Sequence, residues 1–166
     1  LNRNAFFLLA GMGLLHLLIS WPGILTPDSQ GQYQEALKGV YSDHHPPLMS
    51  FIWHSMDMLV KGPGLMLLLH LSLFYAGLFF AMKSVEQHAK RSLFLLYPLF
   101  PAVLIYTDYI WKDVGFAYAF VCVGGVLAWV SSREEPLSLK LALPLLAVLF
   151  YGSSVKYQAQ FLAPVF

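Results

Sequence analysis

Residues 46–60 read PPLMSFIWHSMDMLV, and whether this stretch crosses a membrane or lies along it decides how every later segment is oriented. A helix crossing the hydrocarbon needs about 20 mostly apolar residues. This one is shorter: prolines open it, Lys61-Gly62-Pro63-Gly64 closes it, and His54 and Asp57 interrupt it. On a helix, Ser50, His54, Asp57 and Lys61 recur at steps of four, three and four and form one polar stripe, while Leu48, Phe51, Ile52, Met58 and Leu59 gather on other faces. That pattern predicts a helix lying in the membrane interface, with His54 and Asp57 on its wet face.

The charges outside the segment support the flat orientation. With 46–60 flat, the cytoplasmic side receives Arg3, Lys83, Lys90, Arg91, Arg133 and Lys140. The opposite side receives Lys38, Lys61, Lys112 and Lys156 against Asp28, Glu35, Asp43, Asp57, Asp108 and Asp113. This obeys the positive-inside rule, whereas a spanning 46–60 moves KSVEQHAKR outside and removes the asymmetry.

Composition sets the frame. The 166 residues are 58% hydrophobic, 16% aromatic and 11% charged, with net charge +1 and mean hydropathy +0.62. A soluble domain carries about 25% charged residues, so the chain is expected to be an all-α polytopic membrane protein. Apolar runs predict about five transmembrane helices, near 5–25, 64–82, 92–107, 114–131 and 138–153. The third and fifth are short and carry Pro98, Pro101 and Pro144, which leaves their ends open. The first run is too long, and lacks the small-residue cleavage site, for a removed signal peptide. The chain stops within the apolar FLAPVF, so residues 1–166 are expected to form one transmembrane domain, the N-terminal part of a larger module. Cys122 is the only cysteine, which rules out an intrachain disulfide. No basic patch with interleaved aromatics points to nucleic acid.

Residues 26–63 form the first extracytoplasmic loop, and a second interfacial helix is expected at 26–41. Thr26 is its N-cap, Pro27 its first helical residue and Gly39 its end. Tyr33, Ala36, Leu37, Val40 and Tyr41 give it an apolar face. Three polar segments then meet at the outer side: 26–63, TDYIWKD at 107–113, and SSVKYQAQ at 153–160.

Asp28 leads the candidates for chemistry. A carboxylate near a helix N-terminus stays ionised and can take a proton from a hydroxyl or help hold a metal; support of the helix start is the plainer alternative. His45 is held extended by Pro46 and suits phosphate binding or proton transfer. His44 is its neighbour. Lys112 and Asp113 follow the interface anchor Trp111, and Lys112 can offer charge to a leaving phosphate. Lys156, with Gln158 and Gln160, has a similar standing. His16 and His70 fall in apolar runs and are expected to pack or hydrogen-bond between helices. HExxH, GxSxG, Walker A and GxGxxG motifs are absent. The predicted spans hold no charge except Lys140 at an edge, unlike a pump or ion-coupled carrier.

The PDSxxQ…HHPP…WKD series at 27–32, 44–47 and 111–113 resembles the GT-C superfamily of polytopic glycosyltransferases, nearest to bacterial relatives of protein O-mannosyltransferases and lipid A aminoarabinose transferases. The resemblance implies transfer of a sugar from a polyprenyl-phosphate donor to a glycan, lipid or protein acceptor, at the outer face of the bacterial cytoplasmic membrane. It makes Asp28 the catalytic base of an inverting displacement. It places His45, Lys112, Asp113 and Lys156 at the substrates, and Gln30, Tyr33 and His44 of the first loop are further substrate-binding candidates. The first loop lacks a DxD or ExD pair, so no metal is firmly implied, although a divalent ion at Asp28 stays open. A lipid-linked sugar flippase and a non-catalytic membrane subunit are the other readings.

Overall fold

The computed structural model describes residues 3–86, 88–133 and 136–158. Among them the chain is mostly helical. In chain order it forms α1 (Arg3–Ser20), β1 (Ile24–Leu25), α2 (Pro27–Lys38), α3 (Pro47–Leu59), α4 (Gly64–Ser84), α5 (His88–Leu96), a 3-10 turn (Tyr97–Leu99), α6 (Pro101–Thr107), β2 (Tyr109–Ile110), α7 (Lys112–Ser131) and α8 (Leu139–Ser154). Two of these helices, α4 and α7, are long and apolar enough to cross a membrane; α1 and α8 are apolar but shorter.

The centre of the bundle is the seam between α4 and α7. The helices run parallel, with Phe74 against Tyr118 and Phe80 against Trp129. Gly77 and Gly125 let the backbones touch: a Cβ on Gly125 would stand 2.2 Å from the Gly77 carbonyl oxygen. Small residues at such a crossing replace side-chain packing with direct backbone contact. Antiparallel to α7 runs α8, where the Tyr151 hydroxyl meets His70 Nε2 of α4 at 2.8 Å. Antiparallel to α4 runs α1, with Phe6 near Phe79 and Gly13 near Tyr75. His16 and His70 are thus interhelical hydrogen-bonding residues, as expected.

These directions bring the C-termini of α1 and α8 and the N-termini of α4 and α7 to one end. The three polar segments lie there. At the other end Lys83 and Arg133 sit over the Trp129 ring, at 4.1 and 5.1 Å. Around the outside of the bundle the exposed side chains are strongly apolar, among them Phe7, Leu18, Ile19, Leu93, Leu139 and Phe150.

Several expectations need correction. The first apolar run is helical only to Ser20, because Pro22 and Gly23 end it. Gly23 adopts φ 99°, and a Cβ there would meet the Ile110 side chain at 2.7 Å. The run 92–107 is not one helix. Pro98 lies in the 3-10 turn, Phe100 is extended, and Pro101 starts α6 afresh. The run 138–153 does form one helix, with Pro144 inside it.

The two loop helices exist where expected, but their buried faces are reversed. The Ser50–His54–Asp57 stripe of α3 does not face water; it packs on α2, and Asp57 is 4% exposed. Phe51, Met58 and Leu59 are the exposed side chains. On α2 the buried residues are Ser29, Gln32 and Ala36, while Leu37 and Val40 point outward. Hydrogen bonding explains the reversal: Ser50, His54 and Asp57 of α3 find partners in Glu35, the Ala36 carbonyl and Tyr33 of α2, which turns the polar stripe inward.

Candidate active site

Local capping sets the position of Asp28. Thr26 caps α2 in a reciprocal box with Ser29: the Ser29 N–H donates to Thr26 Oγ1 at 3.2 Å and the Thr26 N–H to Ser29 Oγ at 2.7 Å. Pro27 occupies the first helical position, where its missing N–H costs nothing. Asp28 is therefore the second residue of α2, at the positive end of the helix dipole. Gly39, left-handed at φ 64°, ends the helix as expected.

The parallel pairing of β1 with β2 delivers the partner. Ile24 aligns with Tyr109 and Leu25 with Ile110, and the Ile24 N–H donates to the Asp108 carbonyl at 2.8 Å. This short ladder fixes the start of α2 beside the start of α7. Lys112 Nζ then reaches Asp28 Oδ2 at 2.5 Å. The same ammonium stands 3.4 Å from His45 Nδ1. Asp28, His45 and Lys112 come from three separate segments and converge on one point.

The charge states follow from these contacts. The hydrogen bond from Lys112 holds the Asp28 carboxyl below its usual range, and burial opposes this only in part. The Trp111 indole N–H also lowers it, although it makes no hydrogen bond of standard geometry. Burial, reinforced by the Lys112 charge, pushes His45 below its usual value. His45 is thus a neutral imidazole at pH 7, with Nδ1 facing the ammonium and the ring proton on Nε2. It is not the phosphate-holding cation that an imidazolium would be. Its remaining capacity is one N–H donor. Asp28 is 45% exposed and Lys112 17%, so the carboxylate is open while the lysine is nearly enclosed.

The other candidates divide. Asp113, next to Lys112 on α7, forms a close ion pair with Lys156 instead, and the Lys156 ammonium lies 5.6 Å from the Phe116 ring centre. Successive helical residues point about 100° apart, so this is a second pair around the helix. Lys156 is not brought to Asp28. His44 is exposed and packs edge-on against His45, with ring centres 4.6 Å apart. Gln30 is exposed on α2. Tyr33 is occupied: its hydroxyl donates to Asp57 Oδ1 at 2.7 Å and its ring lies 4.9 Å from that of Trp53. It braces the loop. Gln160 lies outside the described residues.

Sequence reasoning missed the residues that brace the His45 loop. Glu35 accepts from the Ser42 hydroxyl, from the Ser42 N–H at 3.2 Å and from Ser50 Oγ at 3.0 Å. Burial acts to raise the Glu35 carboxyl, but these bonds outweigh it and hold it below its ordinary value. Tyr157 donates to the Asp43 carbonyl at 3.1 Å, tying the end of α8 to the same loop. Only the position of Ser50 on the polar stripe of α3 hinted at the first, and nothing in the sequence pointed to the second.

Among the described residues no group of three or more His, Cys, Asp or Glu could hold a metal ion. Comparison with protein-family models, curated proteins and solved structures finds no match to this chain.

Proposed function

We propose that this chain belongs to a membrane glycosyltransferase. It would transfer a sugar from a polyprenyl-phosphate donor to an acceptor hydroxyl at the end of the bundle where Asp28 lies. The observation that carries the reading is the meeting of Asp28, Lys112 and neutral His45 at the mouth of an apolar helical bundle. Its wider setting is a multi-pass arrangement in the cytoplasmic membrane, with α1, α4, the broken α5–α6 segment, α7 and α8 as five crossings and the site on the outer side. The apolar exterior of the bundle and the basic character of its far end support that orientation.

The chemistry suits an inverting displacement. Asp28 is ionised at neutral pH and accepts the acceptor's hydroxyl proton. The freed oxygen forms a bond to the anomeric carbon from the side opposite the phosphate. The bond from that carbon to the phosphate oxygen breaks, and polyprenyl phosphate leaves with the electron pair.

Lys112 has two possible partners in this scheme. In the free protein it neutralises Asp28, which also makes that carboxylate a weak base. A donor phosphate competes for the ammonium, and once Lys112 turns to it the proton affinity of Asp28 rises. The helix N-termini of α2 and α7 both lie at this point, and the positive ends of their dipoles favour an anion. Neutral His45 adds a hydrogen bond from Nε2. If a divalent ion takes part, Asp28 is the carboxylate placed to bind it.

The test is a transfer assay on the full-length protein with radiolabelled polyprenyl-phosphate sugars, comparing wild type with Asp28→Asn. Transfer by the wild type alone is the expected result. Equal transfer by both removes Asp28 from the catalytic role. Movement of donor across the membrane without any transfer points to a flippase instead.

A further inference from the structure

A second polar cluster lies beyond the Asp28 site. Met12, His16 and Ser20 follow one another at four-residue steps along α1, and they face the Pro98–Asp108 segment across a pocket of about 240 Å³ with Tyr75 as its floor. One end of the pocket is polar. Ser20 Oγ donates to Asp108 Oδ1 in a short hydrogen bond. His16 Nε2 stands 3.3 Å from that oxygen and 2.8 Å from Thr107 Oγ1, and His16 Nδ1 is 3.1 Å from the Tyr75 hydroxyl. The rest is apolar, and Leu15, Ile19, Leu99 and Leu104 expose it to the outside of the bundle.

The partners of Asp108 are lopsided. Its Oδ1 receives both Ser20 and His16, whereas Oδ2 has no hydrogen bond among the described residues, and no Lys or Arg among them pairs with it. A carboxylate oxygen at the edge of a low-dielectric region gains from a donor. The side chain is 34% exposed and opens into the pocket, so a ligand can supply that donor.

From this geometry we infer that the α1–α6 pocket binds the hydroxylated head group of an amphiphile, admitted sideways from the bilayer, and that the acceptor of the proposed transfer is such a lipid. The chemistry of the lining selects the ligand. A carboxylate repels a phosphate or sulfate head. Ser20 and Tyr75 are hydroxyls that both donate and accept, as sugar or polyol hydroxyls do. A quaternary ammonium has no proton to give Oδ2. The pocket is smaller than the roughly 300–1,000 Å³ typical of a whole small-molecule site, so it holds a head and the first carbons while the tail runs along α1.

The second half of the inference rests on the assignment of Asp28 as the transfer base. Asp108 precedes β2 and Lys112 follows it, so the two sites lie about 13 Å apart along an extended chain. An oligosaccharide head anchored at Asp108 extends along β1 and β2 towards Asp28, where its free hydroxyl loses a proton to the carboxylate and bonds to the donor sugar. The contrast with Lys112 is chemical: a cation awaits the phosphate-bearing donor, and a bare carboxylate oxygen awaits the phosphate-free head.

The test uses the full-length protein in phosphatidylcholine nanodiscs and an alkyl glucoside carrying a diazirine in its chain. Photolabelling is expected to concentrate in Met12–Ser20 and Leu99–Asp108. Excess octyl glucoside should compete, whereas octyl phosphate and octyltrimethylammonium should not. Ser20→Ala and Asp108→Asn should each cut labelling about tenfold, and Leu104→Trp, which fills the pocket without touching its polar end, should do the same. Asp28→Asn should leave labelling unchanged. Label spread evenly over the outward-facing helices, or equal competition by the cationic amphiphile, overturns the inference. Localised labelling in a protein that transfers no sugar overturns the catalytic assignment instead and leaves the pocket standing.

Discussion

Asp28 and Asp57 belong to the same loop, each within hydrogen-bonding reach of a lysine, yet the protein treats them in opposite ways. Asp57 is almost fully enclosed and accepts from Lys61 Nζ at 2.8 Å, the Gly62 N–H at 2.9 Å and the Tyr33 hydroxyl at 2.7 Å. All its partners come from nearby residues of the loop. Asp28 is about half exposed, and its lysine comes from 84 residues further along the chain. The difference separates a carboxylate whose acceptor sites are filled from one with a free oxygen and a movable partner. Saturated local bonding builds a scaffold. An open carboxylate tied to a distant cation suits work on a ligand, because a substrate can take over either partner.

Substitution should break the two carboxylates in different observables. Asp28→Asn keeps the shape and removes the base, so transfer is expected to fall at least about a hundredfold while the unfolding midpoint stays near that of the wild type. Loss of folding in this variant would assign Asp28 to the scaffold. Lys112→Met should lower transfer by roughly ten- to a hundredfold, and its pH profile sharpens the point. Lys112 is the main cause of the low Asp28 value. Without it the carboxyl titrates higher, so the acidic limb of transfer should move to higher pH. Lys112→Arg should leave that limb near its original position. An unmoved limb in the methionine variant would mean that the ion pair does not control the base.

Asp57→Asn should show the reverse pattern: lost stability, with activity per folded molecule kept. Its bonds hold the Asp57 carboxyl at about 2, against an ordinary 3.8. A folded-state value below the unfolded one stabilises once the pH exceeds the unfolded value, and the benefit disappears as the pH falls through the folded one. The contribution is about 2 kcal/mol at neutral pH, complete above about pH 4 and lost towards pH 2. Thermal melts of wild type and variant should therefore differ at pH 7 and converge under acid. A constant gap across that range would refute the assignment.

Much of this was legible in the sequence, because helix caps and breakers act locally. Thr26-Pro27 and Gly39 bound α2 and the prolines open α3, all by chemistry within a turn of the boundary. The grouping of polar segments at one end followed from the apolar runs and the placement of lysine and arginine. Facing was not legible. A polar stripe on α3 looks the same whether it meets water or another helix, and only the hydrogen bonds from Ser50 to Glu35 and from His54 to the Ala36 carbonyl decide. The prolines of 92–107 left its ends open but did not place the break, nor the strand pairing that follows it. Two residues of β1 carry too little pattern to be recognised, and their partner lies 85 residues away. The charge of His45 was hidden for the same reason: it is set by burial in the folded loop and by Lys112, far off in sequence.

The smallest expected effect tests how far the scaffold reaches into the site. Tyr157 binds the Asp43 carbonyl from the end of α8, two residues before His45, so it links the bracing of the loop to the position of the imidazole. The tyrosine is exposed, so water can replace its hydroxyl at that carbonyl. Tyr157→Phe should then cost about 0.5–1 kcal/mol of stability, raise the donor KM about twofold, because a modest loosening of His45 weakens its contact with the phosphate, and leave kcat unchanged. A fall in kcat comparable with that of Lys112→Met would show that the His45 loop must be held rigidly for the displacement itself. Scaffold and reactive carboxylates would then form one unit, and the contrast between Asp28 and Asp57 would describe bonding alone.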